Sequence, residues 1–330
     1  MIISQTPLRI SFVGGGTDLK DFWSVETGAV VSTSIDKYVY VIIKERFDDL
    51  IYVNYTQKEI VESPSKLKHD LVREAMLKTG IATGVEITTL ADTPSEGSGL
   101  GSSSSITVGL LNAFYAYQGR QVTAEQLARE ACEIEIDILG NPIGKQDQYI
   151  AAYGGMQEIT FHPDESITID VVNISNFHKR MFASNLLLFY TDITRQSSDI
   201  LTQQKEDTHK KMDILKKMRD QVPIVRQVLE QNDCFDQVGH VLGETWKLKK
   251  QLSGRISNPE IDMMYQKVRD AGALGGKISG AGGGGFLLVY VPQEKQNNVR
   301  EAMKEYREFP FMLEPDGSKI IFNMRRNYWK

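Results

Sequence analysis

Cysteine is almost absent. Cys132 and Cys234 are the two in 330 residues, and their positions suggest neither a disulfide framework nor a metal-ligand pattern, so a reducing compartment fits. No window approaches the roughly 20 apolar residues of a membrane span. The opening MIISQTPLRIS has neither the basic start nor the long apolar run of a secretory signal. Excess positive charge is lacking as well: the net charge of −5 gives no electrostatic reason to expect nucleic acid or an anionic membrane as partner. Internal repeats and low-complexity linkers are missing too. These absences leave a cytoplasmic protein as the expectation.

At 330 residues, 41% hydrophobic and 25% charged, the chain exceeds the usual single core, so two domains are expected. A change of texture near residue 180, where long polar helical stretches begin, divides 1–180 from 181–330. Before it, strands are expected over 5–13, Ala29 to Ser34, Lys37 to Lys44, Leu50 to Asn54 and Val85 to Leu90. Helices are expected over 66–79, 103–118, 123–139 (capped by Thr123) and from Gly144, then a hairpin of MQEITF and ITIDVV. After it come a strand at Leu186 to Tyr190, helical stretches at 196–232, 235–252, 259–272 and 293–306, a strand after a glycine loop, and a last strand at Lys319 to Asn323.

What the chain does have is glycine in three telling places. The first is PSEGSGLGSSSSITVGLLN, Pro94 to Asn112. Gly97, Gly99 and Gly101 let backbone approach a ligand, and Ser102 to Ser105 run into a helical apolar pattern whose unpaired N–H groups favour a phosphate. A flexible Gly/Ser linker is the plainer reading. No lysine follows as a Walker A loop requires, and Ser102 stands where a dinucleotide fingerprint needs its third glycine. The second is PLRISFVGGGTD, with Arg9 in a strand and Asp18 just past the glycine turn. Arg9 could neutralise a transferring phosphoryl and Asp18 accept from substrate hydroxyls, or the segment is simply a hairpin. The third is KISGAGGGGF, with five glycines from Gly280 to Gly285, either a tight connection or a second backbone wall over phosphates.

Two acids complete the set, because Mg·nucleotide chemistry needs a metal ligand and a group that positions the acceptor. On a regular helix Glu135 falls at the edge of the stripe Leu127, Ala131, Ile134 and Ile138. It could face a site there, or be a solvated carboxylate on a helix flank. Asp147 follows a Pro and Gly turn near a helix start, where an ordinary first-turn aspartate is the other reading.

These pieces occur in the order and nearly at the spacing of the GHMP kinases (galactokinase, homoserine kinase, mevalonate kinase, phosphomevalonate kinase). PSEGSGLGSSSS resembles that family's P-x-x-x-G-L-x-S-S ATP loop, PLRISFVGGGTD its first motif and KISGAGGGG its third, over about residues 6 to 290. The resemblance implies an α+β fold of two domains, ribosomal-protein-like and then ferredoxin-like. It implies ATP and Mg²⁺ as cofactors and a small-molecule sugar or sugar phosphate as partner, with an oligomer left open. Glu96, Gly97, Ser98, Gly99, Leu100, Gly101, Ser102, Ser103 and Ser104, with Gly280, Gly282 and Gly283, would bind ATP. Ser103 and Glu135 would ligate Mg²⁺, with Ser102 an alternative to Ser103. Asp147 would be the base and Arg9 its catalytic companion. Gly15, Gly16, Thr17 and Asp18 would bind the sugar; galactokinases read E-H-T-D there, so galactose is in doubt. The segments VGGGTD, GKQDQYIAAYGG and ISGAGGGGF look most like heptose 7-phosphate kinases and the kinase half of bacterial fucokinases, which implies phosphorylation of an anomeric hydroxyl. Arg195, Arg255 and Lys20 are candidates for a sugar-phosphate pocket. A non-catalytic sensor and a decarboxylase are the rival readings on the same fold.

Overall fold

The computed structural model of the chain describes residues 1–93, 97–193, 211–231 and 234–324. Its strands are β1 (Ile2–Val13), β2 (Gly28–Glu45), β3 (Ile51–Asn54), β4 (Lys58–Val61), β5 (Val85–Ala91), β6 (Met156–Phe161), β7 (Ile167–Val171), β8 (Leu186–Tyr190), β9 (Gly275–Ile278), β10 (Phe286–Tyr290) and β11 (Lys319–Asn323). The fold is a two-domain mixture of helices and sheets, as expected. An eight-stranded sheet runs β11-β1-β2-β5-β3-β4, with β6 and β7 branching from β2, and a three-stranded sheet runs β8-β10-β9. The last strand returns to the first sheet, where β11 pairs antiparallel with β1.

The two strands expected at 29–34 and 37–44 are one element, β2. Its register against β1 passes from Leu8↔Ile35 to Pro7↔Tyr38, so Asp36 and Lys37 bulge opposite this step. Pro7 has no N–H to give the ladder, and a bulge is where a strand tolerates that. The first half of β2 pairs with β6 and the second with β5, which makes β2 the trunk of the sheet.

The helix Ser102–Tyr117 is buried on nearly every side, from Ser104 through Ala116, and packs against β1 and β2. A helix apolar all round belongs inside a core. Its N-terminus is thereby fixed at one end of the sheet, facing the C-terminal part of β1. The second sheet is buried on both faces, with β8 and β10 alternating between two cores. Leu186, Leu188, Phe286, Leu288 and Tyr290 join the first core, while Leu187, Phe189, Leu287 and Val289 join the second. Phe182 ties the two halves together, with its ring 5.4 Å from Phe12 and 6.1 Å from Tyr290. Full burial of each such ring stabilises by about 1.5–3 kcal/mol.

Four elements escape the sequence pattern: β4, β9, the short helix Lys20–Trp23 and the helix Asn176–Ala183. The stretch expected to be helical over 196–232 contains Met212–Arg219 and Val222–Gln231, while 194–210 lie outside the described residues. The helix expected over 293–306 is shorter, Gln296–Ala302 after a 3-10 turn. No helix among the described residues is long and apolar enough to cross a membrane.

Candidate active site

Four segments converge at the C-terminal end of β1. Arg9 leaves β1 and lays its guanidinium on Asp147, Nε donating to Oδ1 at 2.7 Å and Nη2 to Oδ2 at 2.6 Å. A third donor, Nη1, reaches the Gly99 carbonyl at 2.5 Å. The Arg9 amide also donates to the Leu100 carbonyl at 2.9 Å. One arginine thus fixes both the glycine/serine loop and Asp147, which sits in the first turn of the helix Gln146–Tyr153. A bidentate fork of this kind sets orientation as well as energy.

The glycine segments stack backbone on backbone. Gly99 has φ +71, and a Cβ there would meet the Ser279 carbonyl; a Cβ on Gly280 would meet Gly99 in return. Only residues without side chains can come this close. Gly285 leans in the same way on the carbonyls of Gly97 and Ser98. The helix Ser102–Tyr117 then begins at Gly101 with no side-chain cap, leaving first-turn N–H groups open to an anion.

The serines divide their work. Ser102 Oγ turns back to Ser98 Oγ at 3.0 Å, and Ser105 Oγ to the Pro7 carbonyl at 2.8 Å. Ser103 and Ser104 donate to Oε2 of Glu135 at 3.1 and 3.2 Å. Ser103, unlike Ser102, therefore stands beside Glu135. The helix Ala124–Cys132 passes here into a π-turn, Glu133–Ile138, and this wider turn carries Glu135 fully inside, at 0% exposure. Of its two readings, the solvated carboxylate on a helix flank is excluded, and the residue lies deeper than the edge of the stripe. Burial pushes its carboxyl up to about 7, against the hydroxyls of Thr107, Ser103 and Ser104, which favour the anion. Oε1 is buried with no partner.

Asp18 lies on the same side. Its Oδ1 accepts from the Gly16 amide and Oδ2 from Gln146 Nε2, both at 2.9 Å. Burial, and then the neighbouring Asp147 charge, raise its pKa from the usual carboxylate range. Gln146 in turn accepts from Ser32 Oγ at 3.3 Å. Gly144 abuts the Asp18 carboxylate so closely that a Cβ would collide with Oδ2. Thr17 is different: its hydroxyl is fully buried and spent on the Gly14 and Ala29 backbone at 2.8 to 3.1 Å. It staples the turn from inside. Gly15 borders open space.

The remaining candidates scatter. The Gly283 amide is spent on the Ile256 carbonyl at 2.7 Å, and Gly282 rests against Ile256, whereas Gly280 meets Gly99 of the serine loop. Lys20 is exposed and pairs with Glu165 at 3.5 Å, and the Arg255 amide donates to Ser253 Oγ at 3.2 Å. Glu96 and Arg195 lie outside the described residues. Sequence reasoning missed Gln146, Ser32 and two buried lysines, Lys249 and Lys277. Lys277 opens the third glycine segment and was within reach of the pattern. Lys249 sits in a run with Lys247 and Lys250, where nothing marks it out.

Comparison with known proteins gives the following. A family model for the GHMP kinases N terminal domain matches residues 66–155, and one for the GHMP kinases C terminal matches 225–308. The D-glycero-alpha-D-manno-heptose 7-phosphate kinase of Campylobacter jejuni is 30% identical over 96% of this chain and 98% of that protein. A bifunctional fucokinase/GDP-fucose pyrophosphorylase of Arabidopsis thaliana is 26% identical over 92% of this chain but 31% of its own length. A solved structure of a D-glycero-D-manno-heptose 1-phosphate kinase from Bacteroides thetaiotaomicron shares the fold, with a TM-score of 0.83, 24% identity and coverage of 98% of this chain and 100% of that one.

Proposed function

Because the chain belongs to the GHMP kinase family, we propose that it is a cytoplasmic enzyme that transfers the γ-phosphoryl of ATP to the anomeric hydroxyl of D-glycero-D-manno-heptose 7-phosphate, giving the 1,7-bisphosphate. The observation that carries the reading is the Arg9–Asp147 fork beside the open helix N-terminus and Asp18. The sugar assignment leans on the full-length likeness to a heptose 7-phosphate kinase.

On this reading the Gly97–Gly101 loop, Gly280 and the first-turn amides at Ser102, Ser103 and Ser104 hold the nucleotide phosphates. Asp18 and the Gly15–Gly16 backbone hold the sugar hydroxyls, with Thr17 acting through the shape of the turn. Asp147 takes or orients the proton of the attacking hydroxyl. Arg9 keeps Asp147 in place and, with three of its five N–H donors used, turns the rest toward the transferring group. Little covalent chemistry falls to the protein; positioning and charge stabilisation do most of the work. Residues 1–180 form the ATP-binding half and 181–330 the second half, with β11 lent back to the first.

The donors present fit Mg²⁺. A buried carboxylate oxygen without a partner on Glu135, beside the Ser103 hydroxyl, suits an ion that takes one or two protein oxygens and completes its shell with phosphates and water. Bound there, Mg²⁺ would offset charge between the β- and γ-phosphates.

Two experiments test the reading. ATP consumption against heptose 7-phosphate, L-fucose, galactose and mevalonate should show turnover of the heptose phosphate first. Turnover of free fucose alone would reverse the sugar assignment, and turnover of none would sink the kinase. Gly144→Ala should push Asp18 aside and lower kcat/KM for the sugar by about 100-fold, the scale of a roughly 1 Å misplacement, with KM for ATP unchanged. Steady-state kinetics with each substrate varied in turn checks this, and an equal rise in both KM values would remove Asp18 from the sugar site.

A further inference from the structure

Beneath the glycine segments lies a pair of buried lysines that the chemistry above does not use. Lys277 on β9 and Lys249 near the end of the helix Asp236–Lys250 are 4% and 7% exposed. Lys277 Nζ donates to the Phe12 carbonyl of β1 at 2.9 Å. Lys249 Nζ donates to the Ile278 carbonyl at 3.3 Å and to that of Gly280. Gly280 touches Gly99, whose carbonyl holds Arg9, so a chain of contacts runs from Lys249 to the centre of the site. Among the described residues neither ammonium forms an ion pair with a carboxylate, and each carries three donors, so N–H groups remain on both.

Two hydroxyls, one on β1 and one just past the end of β9, are orphans. Ser11 Oγ and Ser279 Oγ are buried without a partner, and both residues are at least nine-tenths buried. Ser11 follows Arg9 by two on β1 and so shares its face; Ser279 follows Lys277 by two. A buried charge ordinarily has a counter-ion, and a buried hydroxyl a partner. Arg9, already committed to Asp147, repels both lysines. The pair has spare donors, two unpartnered hydroxyls in the same segments and Asp18 as the anion that faces it, a setting that a further anion would complete.

We propose that Lys249 and Lys277, with the hydroxyls of Ser11 and Ser279, form a buried receptor for a phosphate group of a bound ligand, between β1 and the Gly280–Gly285 run. The choice of ligands rests on the kinase reading; the receptor itself does not. Burial and then the Arg9 charge push the Lys249 ammonium down to about 7; burial, then the Lys249 and Arg9 charges, push Lys277 well below the usual lysine value, with Asp18 acting the other way on both. The charged groups facing the pair are Arg9 from β1, Asp18 from the turn after it, and each lysine toward the other. A phosphate dianion alongside favours the charged amines, so binding near pH 8 takes up protons.

The test is calorimetric titration of Mg·AMPPNP, Mg·ADP and heptose 7-phosphate in two buffers of different ionisation enthalpy. It is run on the wild type and on Lys249→Met, Lys277→Met and Ser279→Ala. The lysine variants should lose about tenfold or more in affinity for one ligand class, as expected for losing a charged hydrogen bond. Lys249→Met should also lose its share of the proton uptake, which a merely structural role would leave intact. Loss for AMPPNP but not ADP places the terminal nucleotide phosphate here; loss for the heptose phosphate alone places the sugar's. Should the methionine variants fail to fold, Ser279→Ala decides, with a loss of about threefold or more expected. Folded variants that bind all three ligands within twofold, with unchanged proton uptake, overturn the proposal. If no sugar is turned over in the substrate panel while AMPPNP affinity still falls, the kinase reading fails and the receptor stands.

Discussion

Asp147→Asn should lower kcat by about 10²–10⁴, the range that proton transfer by a positioned side chain contributes, while AMPPNP affinity stays within a few-fold of wild type. The substitution keeps the shape of the side chain and one acceptor for the fork that Arg9 makes at 2.6 and 2.7 Å. It removes the negative charge that would receive or orient the hydroxyl proton. Some stability goes with it, because Arg9 is 6% exposed at its side chain and loses half of a charged pair. Removing one partner of a fully buried pair costs about 3–5 kcal/mol; with Asp147 at 22% exposure the cost is smaller, since solvent screens the pair. Single-turnover kinetics alongside equilibrium nucleotide binding separates the two effects. A fall in kcat with binding intact assigns Asp147 to the chemical step. A parallel loss of AMPPNP affinity means that its main task is to hold Arg9, and through Gly99 the phosphate loop. Activity within tenfold of wild type removes it as the base.

The parts of this site that were legible in the sequence are those where composition departs from what folding alone would choose. Five glycines between Gly280 and Gly285 oppose folding through backbone entropy, and the structure shows what requires them: backbone packed on the backbone of Gly97 to Gly99. Arg9 and Asp147 were each singled out, but their mutual fork joins residues 138 positions apart, and no local pattern encodes it. The depth of Glu135 was not legible for a definite reason. A wheel of uniform turn assumes i→i+4 bonding, whereas the Leu139 amide bonds to the Ile134 carbonyl, five residues back. Such π-turns widen the helix locally and rotate every side chain that follows, and they gather at functional sites. Lys249 was invisible because a lysine among lysines on a polar helix is normally a solvated one. Only the return of that helix under the second sheet buries it. The same limit hid the course of β11, whose strand character was plain and whose partner β1 stands at the other end of the chain.

Glu135→Gln should remove activity and, in metal-free protein above pH 7, raise stability. The two effects have one cause. In the folded chain burial raises this carboxyl from 4.5 to about 7, so between those values the native state holds a proton that the unfolded chain releases. A raised acid pKa therefore costs stability as pH climbs from about 4.5, and the cost levels off above about 7 at roughly 3 kcal/mol. Glutamine does not titrate, so it escapes the cost. Its carbonyl can still accept from Ser103 and Ser104, and its amide stands where Oε1 has no partner, much as the protonated acid does. Thermal unfolding with a chelator present should thus find wild type and variant alike near pH 5 and the variant more stable at pH 8. Mg·AMPPNP should reverse the order by stabilising the wild type far more, because a neutral amide is a poor ligand for a hard dication. Loss of several kcal/mol of charge stabilisation implies a fall in kcat of about 100-fold or more. A variant less stable than wild type in chelator at pH 8 would mean that the buried carboxylate already has its counter-charge within the protein. Equal stabilisation of both by Mg·AMPPNP would mean that the ion sits elsewhere.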